Sequence, residues 1–557
     1  MTRNCLPDAR STSEEFRTGR AQLAGEAWDI QPAVLAEQTR RLGVKDGRVG
    51  RGYRADACRR RSLCPLVRVT SQDSSRARFG SGLACAWIRI VCSAIEGKYR
   101  AVNEFPYPPG RLPVLGDVLS MNPRKPVQSM AKLSEKVGPI YELRFGPMRM
   151  VVVNSADLVD VVQSESLWEK EFGPPIRRLR KVVPTGLIAA ATEDPQWGAA
   201  HRVLVPGFTR EAMRGYHAVM VQVVGELIRR WECSSDSVDV VGEMNSMALE
   251  VIARAGFGHS FTKLDQPSAE HRLPVVKLML DVLRYASRPV SIKFLDATIG
   301  RFALRRHQRD VAKLRRIADD MIDNCRTAAA EPPNLLQRMM EISDPTTGQR
   351  LSRTVVRDQV LTFLIAGNET SAGTLTFALH ALGSRPDIVE RVRQEVNTVA
   401  GGDPTTLSYE QVPKLQYLRQ VVDETLRLWP VAGGYFRRPK QDTHLGDYYI
   451  RRGEWVYVNL LAVHRDKRAW GPDADRFDPD RFAPDATPRR TAGAYKPFGI
   501  GLRSCIGRQF AIHEIVLTLA HVLCAFDLEP DPKYQLEVDE LVTLKPAGLR
   551  MRLRSRN

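Results

Sequence analysis

The ten residues Phe498-Gly499-Ile500-Gly501-Leu502-Arg503-Ser504-Cys505-Ile506-Gly507 constrain this chain more than any other stretch. They set one cysteine in a glycine-rich loop beside an arginine, directly ahead of an apolar helical run (Phe510, Ile512, Ile515, Val516, Leu519). A cysteine that acts as a metal ligand must stay deprotonated and shielded from oxidation. Gly499 and Gly501 let a tight loop pass close beneath a flat macrocycle, where a Cβ would clash. Phe498 is placed to cover the sulfur, Arg503 to pair with a carboxylate on the macrocycle, and Gly507 to open the helix. These features point to a thiolate-bound haem iron, a ligation that pushes electron density onto the metal and favours O–O cleavage. The plainer reading, a buried cysteine in a glycine-rich turn, loses ground with each of the segments below.

The length of 557 residues suits several domains or one large fold, and 43% hydrophobic residues is the content of an ordinary globular protein. A net charge of +18 invites a nucleic-acid or membrane reading, so its distribution matters. Residues 1–103 hold 19 Lys/Arg against 10 Asp/Glu, and the remainder holds 63 against 54. Half the excess thus sits in less than a fifth of the chain. The mildly basic remainder suits docking of an acidic protein better than tracking a phosphate backbone, so no nucleic-acid partner is expected. Five of the nine cysteines also fall before residue 104, in no zinc-binding spacing, and Cys233, Cys325, Cys505 and Cys524 are scattered. That is the usage of a reducing cytoplasm. The start has no apolar core for a signal peptide, and the run Leu83 to Ile95 is interrupted by Arg89 and too short to span a bilayer. The expectation is a cytoplasmic protein with no membrane span.

Patterning divides the chain near residue 104. Residues 1–103 show no sustained period and read as a disordered extension, or as sequence translated upstream of the true start. Residues 104–557 begin with Phe105-Pro106-Tyr107-Pro108-Pro109-Gly110 and are densely periodic to the end. Alternation in 140–145, a Gly146-Pro147 turn and the apolar run 150–153 predict a β-hairpin. Helical periods cover 243–255, 274–286, 303–324, 356–382, 387–399 and 507–525. The fold class is mainly α with a small β-sheet region.

Within 356–382 lies Ala366-Gly367-Asn368-Glu369-Thr370. A glycine three residues before a threonine lets the hydroxyl compete for a backbone carbonyl and open the helix locally, making room for O₂. Thr370 and Glu369 then supply a hydroxyl and a carboxylate for relaying protons. Glu424-Thr425-Leu426-Arg427 puts an acid and a base on one helical face. Trp197 and His201 share a face four residues apart. His464-Arg465-Asp466 mimics a kinase triplet, but Gly471 stands where an Asn is required and no Asp-Phe-Gly follows, so chance explains it.

Together, the cysteine loop, the Ala366–Thr370 helix and Glu424-x-x-Arg427 resemble the cytochrome P450 family. From residue 104 to 557 the chain is most similar to the haem domain of the self-sufficient bacterial fatty-acid hydroxylases. Lys125 to Gln128, Ala212 to Met220, Lys496 to Ile512 and Thr543 to Pro546 carry that likeness. The resemblance implies haem b with Cys505 as axial ligand, a cytochrome P450 fold, and O₂ as co-substrate. It also implies a structural network of Glu424, Arg427 and Arg481, and contacts from Trp197 and His201 to the haem propionates. That subfamily fuses its haem domain to a flavin reductase. This chain stops at Asn557, so NAD(P)H electrons are expected from a separate ferredoxin or flavodoxin-type donor and its reductase, serving a monomer. The subfamily's carboxylate-anchoring Arg and Tyr correspond here to Met148 and Val152, with Arg149 adjacent as a possible substitute. Ile188 stands where an aromatic usually covers the haem, and Ala432 matches a small residue near it. The implied activity is monooxygenation of a small apolar, fatty-acid-like substrate. A peroxide-driven hydroxylase and a non-catalytic haem sensor are the alternatives, and the intact Gly367/Glu369/Thr370 set argues against both.

Overall fold

A computed structural model describes residues 104–556, apart from 234–236, 262–263, 265–273, 289–298, 326–332 and 487–491. The expectation for residues 1–103 lies outside the described residues. The predicted hairpin forms as Ile140–Phe145 paired antiparallel with Met148–Val153, closed by Phe145↔Met148. Three more strands complete a five-stranded sheet in the order Ile140–Phe145, Met148–Val153, Trp455–Asn459, Gly434–Pro439, Trp168–Glu171. Met148–Val153 and Trp455–Asn459 run parallel, whereas the other neighbours are antiparallel. Val151 and Val153 pack on one face with Ile140, Trp168 and Val458. Met150 and Val152 pack on the other with Tyr141, Leu143 and Met130. Both faces are covered, which is why the sequence runs Met150-Val151-Val152-Val153 without polar interruption.

Every predicted helical period is a helix: Val240–Val251 (continuing through a π turn, Ile252–Gly256), Pro274–Ala286, Ile299–Asp323, Arg353–Gly383, Pro386–Ala400 and Arg508–Ala525. Two of these, Arg353–Gly383 and Arg508–Ala525, are buried on nearly all sides, the pattern of helices passing through the middle of a large core. No helix among the described residues is long and apolar enough to cross a membrane.

The two central helices meet at a polar contact. The Ser371 hydroxyl donates to Glu514 Oε2 at 2.7 Å, both residues buried. Burial pushes the Glu514 carboxyl up to about 8, against the opposing pull of Ser371. In the folded state this group keeps its proton where the unfolded chain, at the ordinary 4.5, has lost it. Folded protein therefore binds more protons between those values, and stability falls as pH rises through that window. Glu514→Gln should flatten this part of the stability–pH curve, measured by urea unfolding at a series of pH values.

A second buried contact fixes the region around the cysteine loop. Arg427 and Glu424, both wholly buried, form a bidentate pair at 2.6 and 2.8 Å. The guanidinium also donates to the carbonyls of Ala474 (2.6 Å), His464 (2.9 Å) and Arg476 (3.2 Å). Glu424 Oε1 accepts the Asp478 amide at 2.8 Å, and Arg481 Nε lies 3.6 Å from the same oxygen. His464, held so by its carbonyl, accepts the Lys496 amide on Nε2 at 3.0 Å, two residues before Phe498. Burial and then Arg427 push His464 down to about 3, keeping it neutral and able to accept. The kinase-like triplet is thus a structural pin. Arg427→Ala leaves the Glu424 carboxylate buried without its partner, and about 3–5 kcal/mol of stability should be lost in chemical unfolding.

Candidate active site

The cysteine loop is shaped by its own backbone. Cys505 N–H donates to Phe498 O at 2.9 Å, and Ser504 N–H to Gly501 O at 3.0 Å. Gly499 and Gly501 both take left-handed backbone, at φ +72° and +61°. A Cβ on Gly501 would stand 1.9 Å from Glu165 Oε1, the oxygen that accepts the Leu502 amide at 2.8 Å. The sequence reading assigned both glycines to close approach of a macrocycle. The structure adds a second requirement: left-handed backbone at both and, at Gly501, the Glu165 carboxylate. Gly507 caps Arg508–Ala525, as expected. Cys505 is hemmed in by neighbouring atoms yet its surface stays reachable, so it lines a recess rather than a packed core. Burial pushes its thiol up, opposed by the Gly507 amide and the Arg508 guanidinium. Arg508 lies 5.5 Å from the centre of the Phe498 ring.

Beside this loop is a concentration of donors. Arg503 gives hydrogen bonds at 3.0 Å to both Leu187 O and Ala190 O, and lies 4.5 Å from the centre of the Trp197 ring. Trp197 stacks on His201 with centroids 4.9 Å apart, and its buried Nε1 has no partner among the described residues. Lys170, on the strand Trp168–Glu171, reaches Ile188 O at 3.3 Å. Burial, then Arg503 and Arg437, push Lys170 down to about 7, and burial pushes Arg503 down to about 10. Among the described residues neither cation has a carboxylate at ion-pair distance. Two half-buried cations, an orphaned indole N–H and an imidazole are suited to a pair of carboxylates from a bound group. Haem propionates over a Cys505 thiolate meet that demand, so the residues present fit the cofactor. Sequence reasoning found Trp197, His201 and Arg503 but missed Lys170, which stands between two glutamates in an exposed-looking stretch.

The long helix presents a narrow accessible face. From residue 358 to 379 only Ala366, Gly367 and Thr370 are not buried. Thr370 Oγ1 donates to Ala366 O at 2.7 Å, so the hydroxyl does engage a backbone carbonyl. The expected local opening is absent: the helix is continuous from Arg353 to Gly383. A carbonyl has two lone pairs and can accept the hydroxyl without losing its helical bond. A Cβ on Gly367 would lie 3.4 Å from Ile252 Cγ1, an ordinary contact distance, so Ile252 borders this face of the helix without closing it. Glu369 is buried, and Lys545 Nζ holds its Oε1 at 3.0 Å. Lys545 escaped notice because a lone cation in a short C-terminal strand carries no pattern.

The substrate-contact expectations meet mixed outcomes. Ile188 is half-buried on the segment that Arg503 and Lys170 hold, and Leu187 N–H ties that segment to Gln359 Oε1 at 3.0 Å. Ala432 is exposed beside Val431, whose carbonyl accepts the Leu544 amide at 2.8 Å. Met148 is half-buried at the hairpin turn. Val152 is wholly enclosed by Tyr141, Leu143 and Met150, so it stiffens the sheet and faces no channel. Arg149 is no free anchor: it is committed to Glu142 and, at 2.7 Å, to Glu454.

Gly501→Ala combines a left-handed backbone cost of about 1–2 kcal/mol with the Glu165 clash. It should destabilise the protein by more than that alone, and by only about 1–2 kcal/mol in a Glu165→Ala background. A double-mutant cycle in urea measures the difference.

Residues 106–551 match the Cytochrome P450 family. The chain is 34% identical over 460 residues to the bifunctional cytochrome P450/NADPH–P450 reductase of Bacillus cereus, covering 82% of this chain and 42% of that protein. It is 35% identical over 435 residues to the bifunctional cytochrome P450/NADPH–P450 reductase 2 of Bacillus subtilis, covering 77% and 40%. The chain thus spans about two-fifths of the length of the curated relatives it matches. The crystal structure of a cytochrome P450, CYP102L1, superposes with a TM-score of 0.75 at 40% identity, covering 82% of this chain and all of that one. The cysteine loop, the donor cluster beside it and the accessible stripe of the long helix occur in a sequence matched over nearly all its described length: the chain belongs to the cytochrome P450 family.

Proposed function

We propose that residues 104–557 form a haem-thiolate monooxygenase that inserts one oxygen atom of O₂ into a C–H bond of an aliphatic, fatty-acid-like substrate. The observation that carries this reading is the placement, beside the Cys505 loop, of Lys170 and Arg503, which have no carboxylate at ion-pair distance among the described residues, with the partnerless Trp197 Nε1 and the His201 imidazole. Cys505 would bind the iron and the donor cluster the propionates. When bound, haem supplies the one-electron and O₂ chemistry. The chain's own residues orient and protonate. Thr370, on the accessible stripe, presents a hydroxyl anchored on Ala366 O. Glu369, one residue earlier and tied to Lys545, is the carboxylate that exchanges protons on the buried side of the helix. The names of the relatives pair a P450 with an NADPH–P450 reductase. We take NADPH-derived electrons to reach this domain through a reductase, with a ferredoxin or flavodoxin-type protein as the candidate donor.

For the substrate, apolar surface outweighs charge. Each buried methylene contributes about 0.8 kcal/mol, so chain length alone can drive binding. A charge-assisted hydrogen bond to a carboxylate would add about 1.5–3 kcal/mol, but Arg149 is spent on two glutamates. Ile188 and Ala432 offer an aliphatic floor.

Cys505→Ser should abolish the thiolate-type Soret band of the reduced, CO-bound protein; a retained band would remove the basis of the whole reading. With wild-type protein, a fatty acid and its methyl ester of equal length should show dissociation constants within a few-fold in spin-state titrations. A preference for the acid of about tenfold or more would show that a cation still anchors the carboxylate.

A further inference from the structure

Behind Glu369 the structure encloses a small cavity, with about 10 Å³ of room for a water centre. Asn245 of Val240–Val251, Asn368 and Glu369 supply its polar wall, and aliphatic side chains of Pro274–Ala286 with Ile365 supply the rest. That volume suits one water molecule, which needs two to four polar partners.

The hydrogen-bond inventory is specific. Asn368 is 2% exposed and its Oδ1 has no partner among the described residues. The Glu369 carboxylate beside it only accepts, so it cannot satisfy that oxygen. Asn245 Nδ2 gives one N–H to Val241 O at 2.7 Å and has a second to give. A water here would donate one O–H to Asn368 Oδ1 and one to Glu369, and accept from Asn245. These are three hydrogen bonds, the usual number for a buried water.

We propose that Asn245 and Asn368 bind a single structural water against the Glu369 carboxylate, and that both are positioning residues for proton delivery. This rests on the monooxygenase reading, in which Glu369 exchanges protons. Lys545 holds one oxygen of that carboxylate at 3.0 Å. The water supplies a mobile donor on a flank otherwise walled by hydrocarbon.

The test uses haem-loaded, full-length protein. A high-resolution crystal structure should show water density within hydrogen-bond distance of both Asn368 Oδ1 and the Glu369 carboxylate. Asn368→Leu should remove that density and lower product formed per NADPH consumed about tenfold, the loss expected for a charge-assisted hydrogen bond. Haem content and the CO-bound spectrum should stay unchanged, and the solvent isotope effect on turnover should increase. Asn245→Leu, on a different helix, should do the same if the first variant folds poorly. Asn368→Ser, which keeps an oxygen and leaves room for water, should recover most of the coupling. A cavity dry in the crystal, or full coupling in both leucine variants, would overturn the proposal. Failure of the monooxygenase reading would look different, because unmodified protein would yield no oxygenated product while the water density remained.

Discussion

The bidentate pair between Arg427 and Glu424 holds in place much of what makes this site a site. Neither side chain touches solvent, and an ion pair so enclosed recovers its desolvation cost only when every remaining donor and acceptor is used. Here they are. The arginine spends its other N–H groups on three carbonyls from residues 464–476, and the glutamate takes the Asp478 amide. One helix thereby gathers a long irregular stretch that has little secondary structure of its own. His464 passes the constraint on, since its carbonyl is held by Arg427 and its ring accepts the Lys496 amide. The turn bearing Cys505 begins just beyond. A loop with two left-handed glycines has high entropy in the unfolded chain, and this network offsets that cost by fixing its approach.

Downstream of that anchor, the electrostatics run against stability. Burial depresses the proton affinity of both Lys170 and Arg503; Arg503 depresses that of Lys170 further, while Glu193 partly opposes the effect on Arg503. A protein selected only to fold would place a carboxylate between them. Instead the cations are stabilised by carbonyls of residues 187–190 and by the face of Trp197. The strain is local and is relieved by any bound dianion. Such an arrangement ties cofactor binding to folding: whatever neutralises the pair stabilises the native state by mass action.

Much of this was legible in the sequence, and the boundary is physical. Periodicity gave six of the helices and the hairpin, because burial imposes a repeat, but not the 23-residue helix Arg210–Glu232. The cysteine loop and Glu424-x-x-Arg427 were legible because their residues are close in sequence. Lys170 and Lys545 were not, because each acquires its meaning from a residue far away in the chain, Arg503 and Glu369 respectively. The same reason defeated Arg149. Alternation places it on the hairpin, but only the fold brings Glu454 across from the next strand to neutralise it. The opening expected at Gly367 failed differently. The Thr370 hydroxyl engages the Ala366 carbonyl as the spacing suggests, but the helix around Gly367 stays continuous.

The central helix shows where selection for folding and selection for chemistry part company. Between 358 and 379 it buries Asp358, Gln359, Asn368, Glu369 and Ser371 along with its apolar residues. Asp358 and Gln359 have a structural reason: they hold the backbone of Thr185 and Leu187, and so the segment bearing Ile188. Asn368 and Glu369 hold no backbone at all. A buried ion pair such as Glu369–Lys545 is often no more stable than hydrocarbon of similar shape, and an unpaired buried amide oxygen is worse. Polar groups that cost stability and order no backbone around them are what the proton-handling role proposed above for Glu369 would require. Under that proposal the two faces of the helix have separate tasks: the Ala366–Thr370 stripe is the accessible one, and the Asn368–Glu369 side would keep a hydrogen-bonding path inside an otherwise dry core.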